Sequence, residues 1–559
     1  MARVTRRRFG TLVAGSAVAA TLAGRVPLVR AQLDRQRALD HVVVLMFENR
    51  SFDNLLGRLY QPGEVQAFEG VLGKQLTNPI PEWAEDGADR KIVPYAVATN
   101  MNTPNPDSGE EYPHINTQLF GIVDPPANRL KPVKDVVAPY NAPATSGQQP
   151  TMDGFVADYI SAFTAEMRRQ PRYDEYAQIM TGYTPEQLPV LSTLARGFAT
   201  FDHWFCAVPS QTFTNRSFFH AATASGYVDN SPPASAFPVH NTAETIFERL
   251  EAQGLTWRVY CDPPSEASFT GLIHAARLRP RFATNFFTTD QFLEDAAQGR
   301  LPTYAFIEPN LWHGHNDMHP PVPVPPGVGF NPPSPLLGGE ALLAKIYNAI
   351  RQSSSPGGSN YLNTLLLVTF DEHGGTYDHV PPPPAPPPDP AAPAGQMGFR
   401  FDRSGVRLPT LAISAWIPER TVVNDEYRHT SLIRTLRERW SLGSPLTARD
   451  AAARDLAPIF TRDAPRAPES WPDVFPQPVP AFNQALLPPD APLSVLAKHI
   501  LLAVLAFAKE QGETVPDVAE DADIRGAEAV AILHEVAGKM FPGLQSGSAA
   551  FRAAAIPRI

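Results

Sequence analysis

Two apolar runs of the chain, residues 41–47 and 364–370, each end abruptly in side chains that carry oxygen ligands. These side chains are Glu48, Asn49, Asp371 and Glu372. An unbroken apolar run of about seven residues predicts a parallel strand that is buried on both faces. Because ligands bind such sheets at the carboxyl ends of the strands, we expect the four side chains to meet in one crevice.

Oxygen ligands define the chemistry expected in that crevice. Ca²⁺, Mg²⁺ and Mn²⁺ prefer carboxylate and amide oxygens, whereas zinc normally takes His or Cys. A single acid after a strand more often caps the following loop or helix. Two such ends, the second followed by His373-Gly-Gly, favour a shared site. The sequence therefore predicts one divalent ion, calcium, magnesium or manganese, and the nearby histidines leave zinc open.

Hydroxyl side chains cluster between the two runs, in residues 208–217. Thr214 or Asn215 could cap a helix that begins near Arg216, and the Arg216 guanidinium would add donors for a phosphate at that helix end. A hydroxyl bound to a metal there would ionise more readily than a free alcohol. The residues alone leave three candidate nucleophiles and the alternative of simple capping hydroxyls. The candidates are Ser210, Thr212 and Thr214.

Histidines lie around Asp317 and after the second pair of acids. The candidates for phosphate binding or proton transfer are His313, His315, His319, His373 and His379, with His114 and His429 as weaker ones. Histidine titrates near neutral pH, so it can protonate a leaving alkoxide or stabilise phosphoryl oxygens. Asp317 is a candidate catalytic residue, and His319, two residues after it, is the first choice for the general acid or phosphate stabiliser. A structural role is the alternative for each of them.

Helical periodicity and short apolar runs predict the elements that position these residues. Helices are expected at 245–253, 342–352, 430–440 and 493–509, and further strands at 257–260, 303–307 and 411–415. Alternating strands and helices predict an α/β fold, a three-layer sandwich with a mostly parallel central sheet. Proline-rich runs at 320–335 and 380–390 predict extended loops, which either wall the crevice or act as spacers.

The net charge and the two terminal segments of the sequence indicate the class of protein. A net charge of -10, with no basic patch after the first thirty residues, excludes nucleic acid as a partner. Residues 1–31 look like a twin-arginine signal, so we expect export by the twin-arginine machinery to the periplasm, cell surface or medium. We expect a catalytic domain at 32–464 and a Pro-rich and helical extension at 465–559. Cys206 and Cys261 could form one bridge or remain separate thiols.

Four ordered motifs carry a family resemblance: VVVLMFENRSFD, PSQTFTNR, EPN with NDMHPP, and TFDEHGGTYDHVPP. Over about residues 38–460 the chain resembles the bacterial phosphoesterases that include phospholipases C and respiratory-burst-inhibiting acid phosphatases. The resemblance implies an alkaline-phosphatase-like fold and hydrolysis through a covalent phospho-enzyme. By motif match, Thr212 is similar to the family's nucleophile. The motif match also assigns the metal shell to Glu48, Asn49, Asp371 and Glu372, with Thr212 as a further ligand.

The resulting hypothesis is attack of metal-activated Thr212 on a phosphoester. A histidine, His319 by preference, protonates the leaving alcohol, and Arg216 stabilises charge before water hydrolyses the phosphothreonine. A phosphatidylcholine-like diester at a membrane surface would make the protein a phospholipase C, and a monoester would make it an acid phosphatase. A non-enzymatic binding protein for phosphorylated ligands is the third alternative. A choline group would need an aromatic cage, for which the candidates are Tyr112, Trp204, Trp312 and Tyr377.

Overall fold

The computed structural model describes residues 35–145, 147–230, 236–263, 267–311, 315–321, 334–480, 495–516, 518, 532 and 535–544. The predicted signal sequence, His313 and Trp312 lie outside these residues. Within the described ranges, every helix is too short or too polar to span a bilayer.

An eight-stranded sheet forms the centre of the protein. Its strands are β1 (His41–Phe47), β2 (Ala199–Phe201), β3 (Trp257–Cys261), β4 (Phe286–Thr288), β5 (Tyr304–Glu308), β6 (Thr364–Phe370), β7 (Thr410–Ile413) and β8 (Thr421–Val423). Their order across the sheet is β8-β2-β7-β6-β1-β5-β3-β4. Three two-stranded pairs lie outside this sheet: Thr77–Pro79 with Ile92–Pro94, Ala96–Val97 with Thr181–Gly182, and Trp204–Phe205 with Tyr427–Arg428.

The two apolar runs that precede the predicted ligands are neighbouring parallel strands. They pair in register from His41 opposite Thr364 to Phe47 opposite Phe370. All of β6 is buried, and so is all of β1 except its first residue. The predicted mostly parallel sheet is therefore confirmed. Only β7 departs from it, since it runs antiparallel between β6 and β2.

Helices cover the sheet in two groups. The α-helices of the described residues are α1 (Phe52–Leu55), α2 (Tyr112–Phe120), α3 (Phe155–Met167), α4 (Tyr173–Tyr176), α5 (Pro189–Gly197), α6 (Thr212–Ala221), α7 (Ala236–His240), α8 (Ile246–Ala252), α9 (Phe269–Ile273), α10 (Ala275–Leu278), α11 (Phe282–Asn285), α12 (Thr289–Ala297), α13 (Pro335–Gln352), α14 (Thr430–Trp440), α15 (Ala448–Ala451) and α16 (Val495–Glu510). One group contains α5, α12 and α13, and the other contains α6, α8, α9 and α14. The four predicted helices are present, although α13 begins seven residues earlier than expected.

Two helical regions extend the structure beyond the sheet and its covering helices. Helices α2 and α3, inserted between β1 and β2, pack around a second, smaller apolar core. Helix α16, in the predicted C-terminal extension, contributes Leu501, Val504 and Phe507 to the main core. The Phe507 ring lies 6.2 Å from that of Phe282. The boundary at residue 464 stays a prediction, but this helix packs on the main body.

The two cysteines are separate thiols. Cys206 and Cys261 are both buried and unbonded. Burial raises the pKa of each thiol well above its usual range, so neither is activated as a thiolate.

Candidate active site

The ends of β1 and β6 are joined by hydrogen bonds. The Asn49 amide donates to Asp371 Oδ1 at 3.3 Å, and the Arg50 amide donates to the Glu372 carbonyl at 3.1 Å. The four predicted ligand residues are fully buried. They are Glu48, Asn49, Asp371 and Glu372, and we call them the strand-end site. The predicted meeting of the two strand ends is therefore present in the fold.

A glycine allows this close approach. Gly374 adopts a φ of 58°, and a Cβ atom there would lie 2.5 Å from the Asn49 carbonyl oxygen. Only glycine tolerates both the left-handed backbone and the contact. The Gly374 amide donates to Glu372 Oε2 at 2.6 Å and so orients that carboxylate. Glycine at position 374 is thus required by geometry.

Several buried oxygens of the strand-end site have no hydrogen-bond partner among the described residues. They are Glu48 Oε2, Asn49 Oδ1 and Glu372 Oε1, and the Thr212 hydroxyl shares this property. A buried polar atom without a partner costs about 1–3 kcal/mol. Oxygens of this kind are the donor set of a hard divalent cation. The residues present therefore fit the predicted metal ion.

Electrostatics support the same conclusion. Burial and repulsion from Asp371 raise the pKa of Glu48 well above its usual value. The pKa of Glu372 is raised for the same two reasons, and that of Asp371 by burial. Arg216 offsets part of this repulsion, since its Nη2 donates to Glu48 Oε1 at 2.5 Å and its Nε to Asp371 Oδ2 at 3.2 Å. A bound cation would offset the remaining repulsion between the carboxylates.

Helix α6 begins at Thr212, not near Arg216 as the sequence pattern predicted. Gln211 occupies the N-cap position with extended backbone angles. The capping function that was assigned to Thr214 or Asn215 is supplied from a distance, because Asn230 Oδ1 accepts from the Phe213 amide at 2.9 Å. Asn215 instead holds the preceding loop, by accepting from the Val208 amide and donating to the Ser210 carbonyl.

The start of α6 separates the three candidate hydroxyls. Ser210 Oγ donates to the Val228 carbonyl and is therefore occupied. The hydroxyls of Thr212 and Thr214 are buried without a partner among the described residues. Residues four apart share a helix face, so Thr212 lies on the face of Arg216, which contacts the strand-end site. Thr214 is about 200° away from Thr212 around the helix.

The loop around Asp317 lies beside Glu48, whose amide donates to the Asp317 carbonyl at 2.8 Å. His319 Nδ1 lies 2.7 Å from the Pro320 carbonyl. Because a carbonyl only accepts, Nδ1 carries the proton, and neutral His319 has a bare Nε2. Burial lowers the pKa of His319, although Asp317 opposes this shift. In its neutral form His319 offers a lone pair and not the proton expected of a general acid.

His315 has a different setting in the same loop. Its Nδ1 lies 3.1 Å from Asp317 Oδ2, and its side chain is 26% exposed. Burial alone would raise the pKa of Asp317, but His315 and His319 hold it below its usual value. Asp317 is therefore an ionised carboxylate that orients His315.

His373 and His114 belong to one chain of hydrogen bonds. Gln118 Nε2 donates to Asp158 Oδ2 at 2.7 Å, so Gln118 Oε1 accepts from His373 Nε2 at 2.8 Å. His114 Nδ1 lies 2.6 Å from the other oxygen of Asp158. Burial alone would lower the pKa of His114, but Asp158 raises it to about 9. At the end of this chain, His373 Nδ1 lies 3.5 Å from Glu372 Oε2 and has no hydrogen-bond partner among the described residues.

His379 lies in a separate group. Its Nδ1 is 2.6 Å from Asp53 Oδ2, and its Nε2 is 2.9 Å from Glu69 Oε1. Arg407 donates to Asp53 Oδ1 at 2.8 Å and to Asp378 Oδ1 at 2.9 Å. We call Asp53, Asp378, His379 and Arg407 the Arg407 cluster. Because both ring nitrogens of His379 are engaged there, the fold does not bring it together with the other candidate phosphate-binding residues.

Two acids near the site were not predicted from the sequence. Asp107 and Glu110 precede α2, and Glu110 Oε2 accepts a hydrogen bond from Asn49 Nδ2. Burial and repulsion from Glu372 raise the pKa of Glu110 well above its usual value. The only sign of these acids in the sequence was their spacing, three residues apart and shortly before His114. That spacing did not show that the segment folds back against the end of β1.

An aromatic cage for choline is not formed by the three candidate residues that the structure describes. Tyr112, Trp204 and Tyr377 are all nearly or fully buried. Trp204, for instance, stacks on Tyr427 with an interplanar angle of 6°. These rings pack the interior and present no open face to a choline group.

Comparisons with known proteins agree with this geometry. The family model described as "Phosphoesterase family" matches residues 39–443. "Non-specific phospholipase C3" of Arabidopsis thaliana is 31% identical over 76% of this chain and 74% of its own length. "Phospholipase C A" of Mycobacterium tuberculosis is 25% identical over 76% and 78%, respectively. "Non-hemolytic phospholipase C" of Pseudomonas aeruginosa is 26% identical over 82% and 63%.

Among solved structures, a protein in the alkaline phosphatase superfamily from Vibrio parahaemolyticus overlaps 49% of this chain and 64% of its own. That overlap has a TM-score of 0.28 and 13% identity. The family match, in contrast, covers well over half of the sequence and includes both strand ends and the start of α6. The chain thus belongs to the phosphoesterase family and is a hydrolase that acts on phosphoester bonds.

Proposed function

We propose that the chain is an exported, metal-dependent phospholipase C that hydrolyses phosphodiester bonds of phosphatidylcholine-like lipids. One observation carries the mechanism. The Thr212 hydroxyl is buried without a described partner on the helix face whose Arg216 contacts Glu48 and Asp371. The names of the relatives, all phospholipases C, support the substrate class.

The reaction has two steps. Thr212 gives up its hydroxyl proton, its Oγ1 attacks phosphorus, the bond to the diacylglycerol oxygen breaks, and that oxygen takes up a proton. The oxygen of a water molecule then bonds to phosphorus, the phosphorus–Oγ1 bond breaks, and a proton from that water restores the Thr212 hydroxyl as the phosphorylated head group is released. A cation held by Glu48, Asn49, Asp371 and Glu372, with Thr212 beside them, would supply Lewis-acid stabilisation of the threonine alkoxide and of the phosphoryl oxygens.

Arg216 binds two acids of the strand-end site and has one further hydrogen-bond donor. Two of its nitrogens bind Glu48 and Asp371, whereas its Nη1 has no partner among the described residues. That nitrogen is available to a phosphoryl oxygen, which is the form of stabilisation expected for charge that develops in the transition state.

The proton of the leaving alcohol is better assigned to His315 than to His319. The hydrogen bond to the Pro320 carbonyl leaves the neutral His319 ring without a proton on Nε2. The Nδ1 of His315 is also engaged, but its partner is the ionised Asp317 carboxylate, whose charge would balance a second proton on Nε2, and the side chain is partly exposed to solvent.

A diester is favoured over a monoester by the charge of the site. Arg216 is the described cationic partner of Glu48 and Asp371, whereas Glu110 and Glu372 have no arginine partner among the described residues. This excess of negative charge opposes a dianionic monoester more strongly than a monoanionic diester. An acid phosphatase that uses the same nucleophile is therefore the second candidate.

Export is a separate part of the proposal. It rests on Arg6, Arg7 and the apolar run that follows them. Their pattern is that of a twin-arginine signal, which would deliver the enzyme beyond the cytoplasmic membrane, where it could act on a phospholipid surface.

The test is hydrolysis of p-nitrophenyl phosphorylcholine and p-nitrophenyl phosphate, with and without chelator. We expect faster hydrolysis of the choline diester and loss of activity on chelation. Thr212→Ala should lower turnover by more than about 10³-fold, or about 4 kcal/mol in barrier. Thr214→Ala, which removes the other unpartnered hydroxyl of the same turn, is the matched control. Similar losses in both variants would contradict the assignment of Thr212, and faster monoester turnover would favour the phosphatase.

A further inference from the structure

A second group of possible metal ligands adjoins the strand-end site. Ligand atoms of Asp107, Glu110 and His319 all lie within 4.8 Å of one another. The three residues come from two separate segments, since Asp107 and Glu110 precede α2 whereas His319 belongs to the loop after β5. The group therefore exists only in the folded chain.

The state of His319 points to a ligand. The residue is 4% exposed, and its Nε2 has no hydrogen-bond partner among the described residues. Its Nε2 lies 3.5 Å from Asp107 Oδ2. Because Nδ1 must donate to the Pro320 carbonyl, Nε2 of the neutral ring directs a bare lone pair towards the acids. A lone pair facing carboxylates is unfavourable unless a cation or a proton lies between them.

No described hydrogen bond joins the nearby Arg50 to Asp107 or Glu110. Arg50 acts on Asp107 electrostatically, but its described hydrogen bonds go to other groups and its Nη2 makes none. Its acceptors are Asn54 Oδ1 and the carbonyls of Thr103 and Met318. Burial raises the pKa of Asp107 and of Glu110 well above the usual value. The two acids thus lack the paired arginine that would make the group purely structural.

We propose that Asp107, Glu110 and His319 bind a second divalent cation beside the one held by the strand-end site. Glu110 connects the two positions, since it accepts from the Asn49 amide group on one side and faces His319 on the other. Two carboxylates and one imidazole nitrogen suit Mn²⁺ or Zn²⁺ better than Ca²⁺ or Mg²⁺. The Asp107 side chain, 21% exposed, provides an entry path from solvent.

This inference rests on the proposed function only for the position of the first cation. The two sites also differ in donor type, because the strand-end site offers oxygens alone. A hydrogen-bonded donor on the far side of the ring is typical of metal-binding histidine, and the Nδ1–Pro320 contact of His319 has this form.

The test is the number of Mn²⁺ ions that the purified, metal-depleted chain binds. Free Mn²⁺ is measured during the titration by its electron paramagnetic resonance signal. We expect about two ions per chain for the parent protein and about one for Glu110→Gln and for His319→Gln. Glu111→Gln removes a neighbouring acid that is not in the group, so it should still bind two. Circular dichroism of each variant reports whether the fold is retained.

The variants also separate this inference from the proposed function. Glu372→Gln should lose the strand-end ion and keep the one bound by Asp107, Glu110 and His319. A parent that binds a single ion, lost in Glu372→Gln but kept in Glu110→Gln, would overturn the second site and leave the first. A single ion with the opposite response would support the second site alone. Binding of neither Mn²⁺ nor Zn²⁺ by the parent would overturn both.

Discussion

The Arg407 cluster and the strand-end site are two buried groups of acids that begin within a few residues of each other after β1. In the Arg407 cluster, one guanidinium binds Asp53 and Asp378, and His379 occupies the remaining oxygen of Asp53. In the strand-end site, Arg216 faces Glu48 and Asp371, but the carboxylates of Glu372 and Glu110 have no arginine partner among the described residues.

The difference shows how a buried acid can be assigned to structure or to function. A paired and hydrogen-bonded carboxylate stabilises the fold only as long as its partner is present. A buried carboxylate oxygen without a hydrogen-bond partner costs stability, and such groups are typical of functional sites. The Arg407 cluster fixes the loop after β6, whereas the strand-end site has open oxygens that could hold a metal ion.

The largest expected effect is on the Arg407 cluster. Arg407→Leu would leave two buried aspartates without their cation and should lower the free energy of unfolding by about 3–5 kcal/mol. The measurement is equilibrium urea denaturation of the metal-depleted protein. Arg169→Leu, which breaks an exposed pair with Glu175, should cost at most about 1 kcal/mol. Equal losses would show that the Arg407 cluster is not a structural centre.

Of these two regions, only the strand-end site should respond to a bound cation. At about one hundred times its dissociation constant, a cation that binds the folded state alone stabilises it by about 2.7 kcal/mol. Glu372→Gln should lose the increment that comes from the strand-end ion and keep any increment from the ion bound by Asp107, Glu110 and His319. It should not destabilise the metal-depleted protein, because it removes a charge that repels Asp371. Asp378→Asn should do the reverse. Thermal unfolding with and without Mn²⁺ distinguishes the two, and an unchanged increment in Glu372→Gln would contradict the site.

The smallest effect is a dependence of stability on pH that originates in the Arg407 cluster. Burial alone would lower the pKa of His379, but the hydrogen bond and charge of Asp53 raise it. The stabilisation is therefore complete below the pKa of the unfolded chain, about 6.5, and is lost as pH rises through the higher pKa of the folded protein. Urea denaturation across this range should show a slope that His379→Gln reduces. The same slope in the variant would exclude His379 as its source.

The central strands were predictable because the pattern of apolar residues is local. The runs at 41–47 and 364–370 have no polar alternation, so both faces had to be covered, and helices cover them. The direction of β7 was not predictable in this way. Its apolar residues fit a parallel or an antiparallel neighbour equally well, and the choice depends on how the chain returns to the sheet.

Some residues of the site were predictable from local sequence in the same way, and others were not. Glu48, Asn49, Asp371 and Glu372 follow strands, so their meeting was a consequence of sheet geometry. The start of α6 was misplaced because its cap comes from Asn230, which is distant from Thr212 in sequence. His379 was grouped with His373 because they are six residues apart, yet the turn between them carries His379 to Asp53.

The sequence by itself determined the central strands of the sheet, the four candidate ligands at two strand ends and the segment that holds the candidate nucleophile, because each follows from local pattern or motif. Only the tertiary structure decided which hydroxyl shares a face with Arg216, which ring nitrogen of His319 is bare, and which acids have an arginine partner. These depend on where α6 begins, on the orientation of the His319 ring and on contacts between distant segments. A hydrogen bond is fixed by orientations within a few tenths of an ångström, which composition and spacing do not encode.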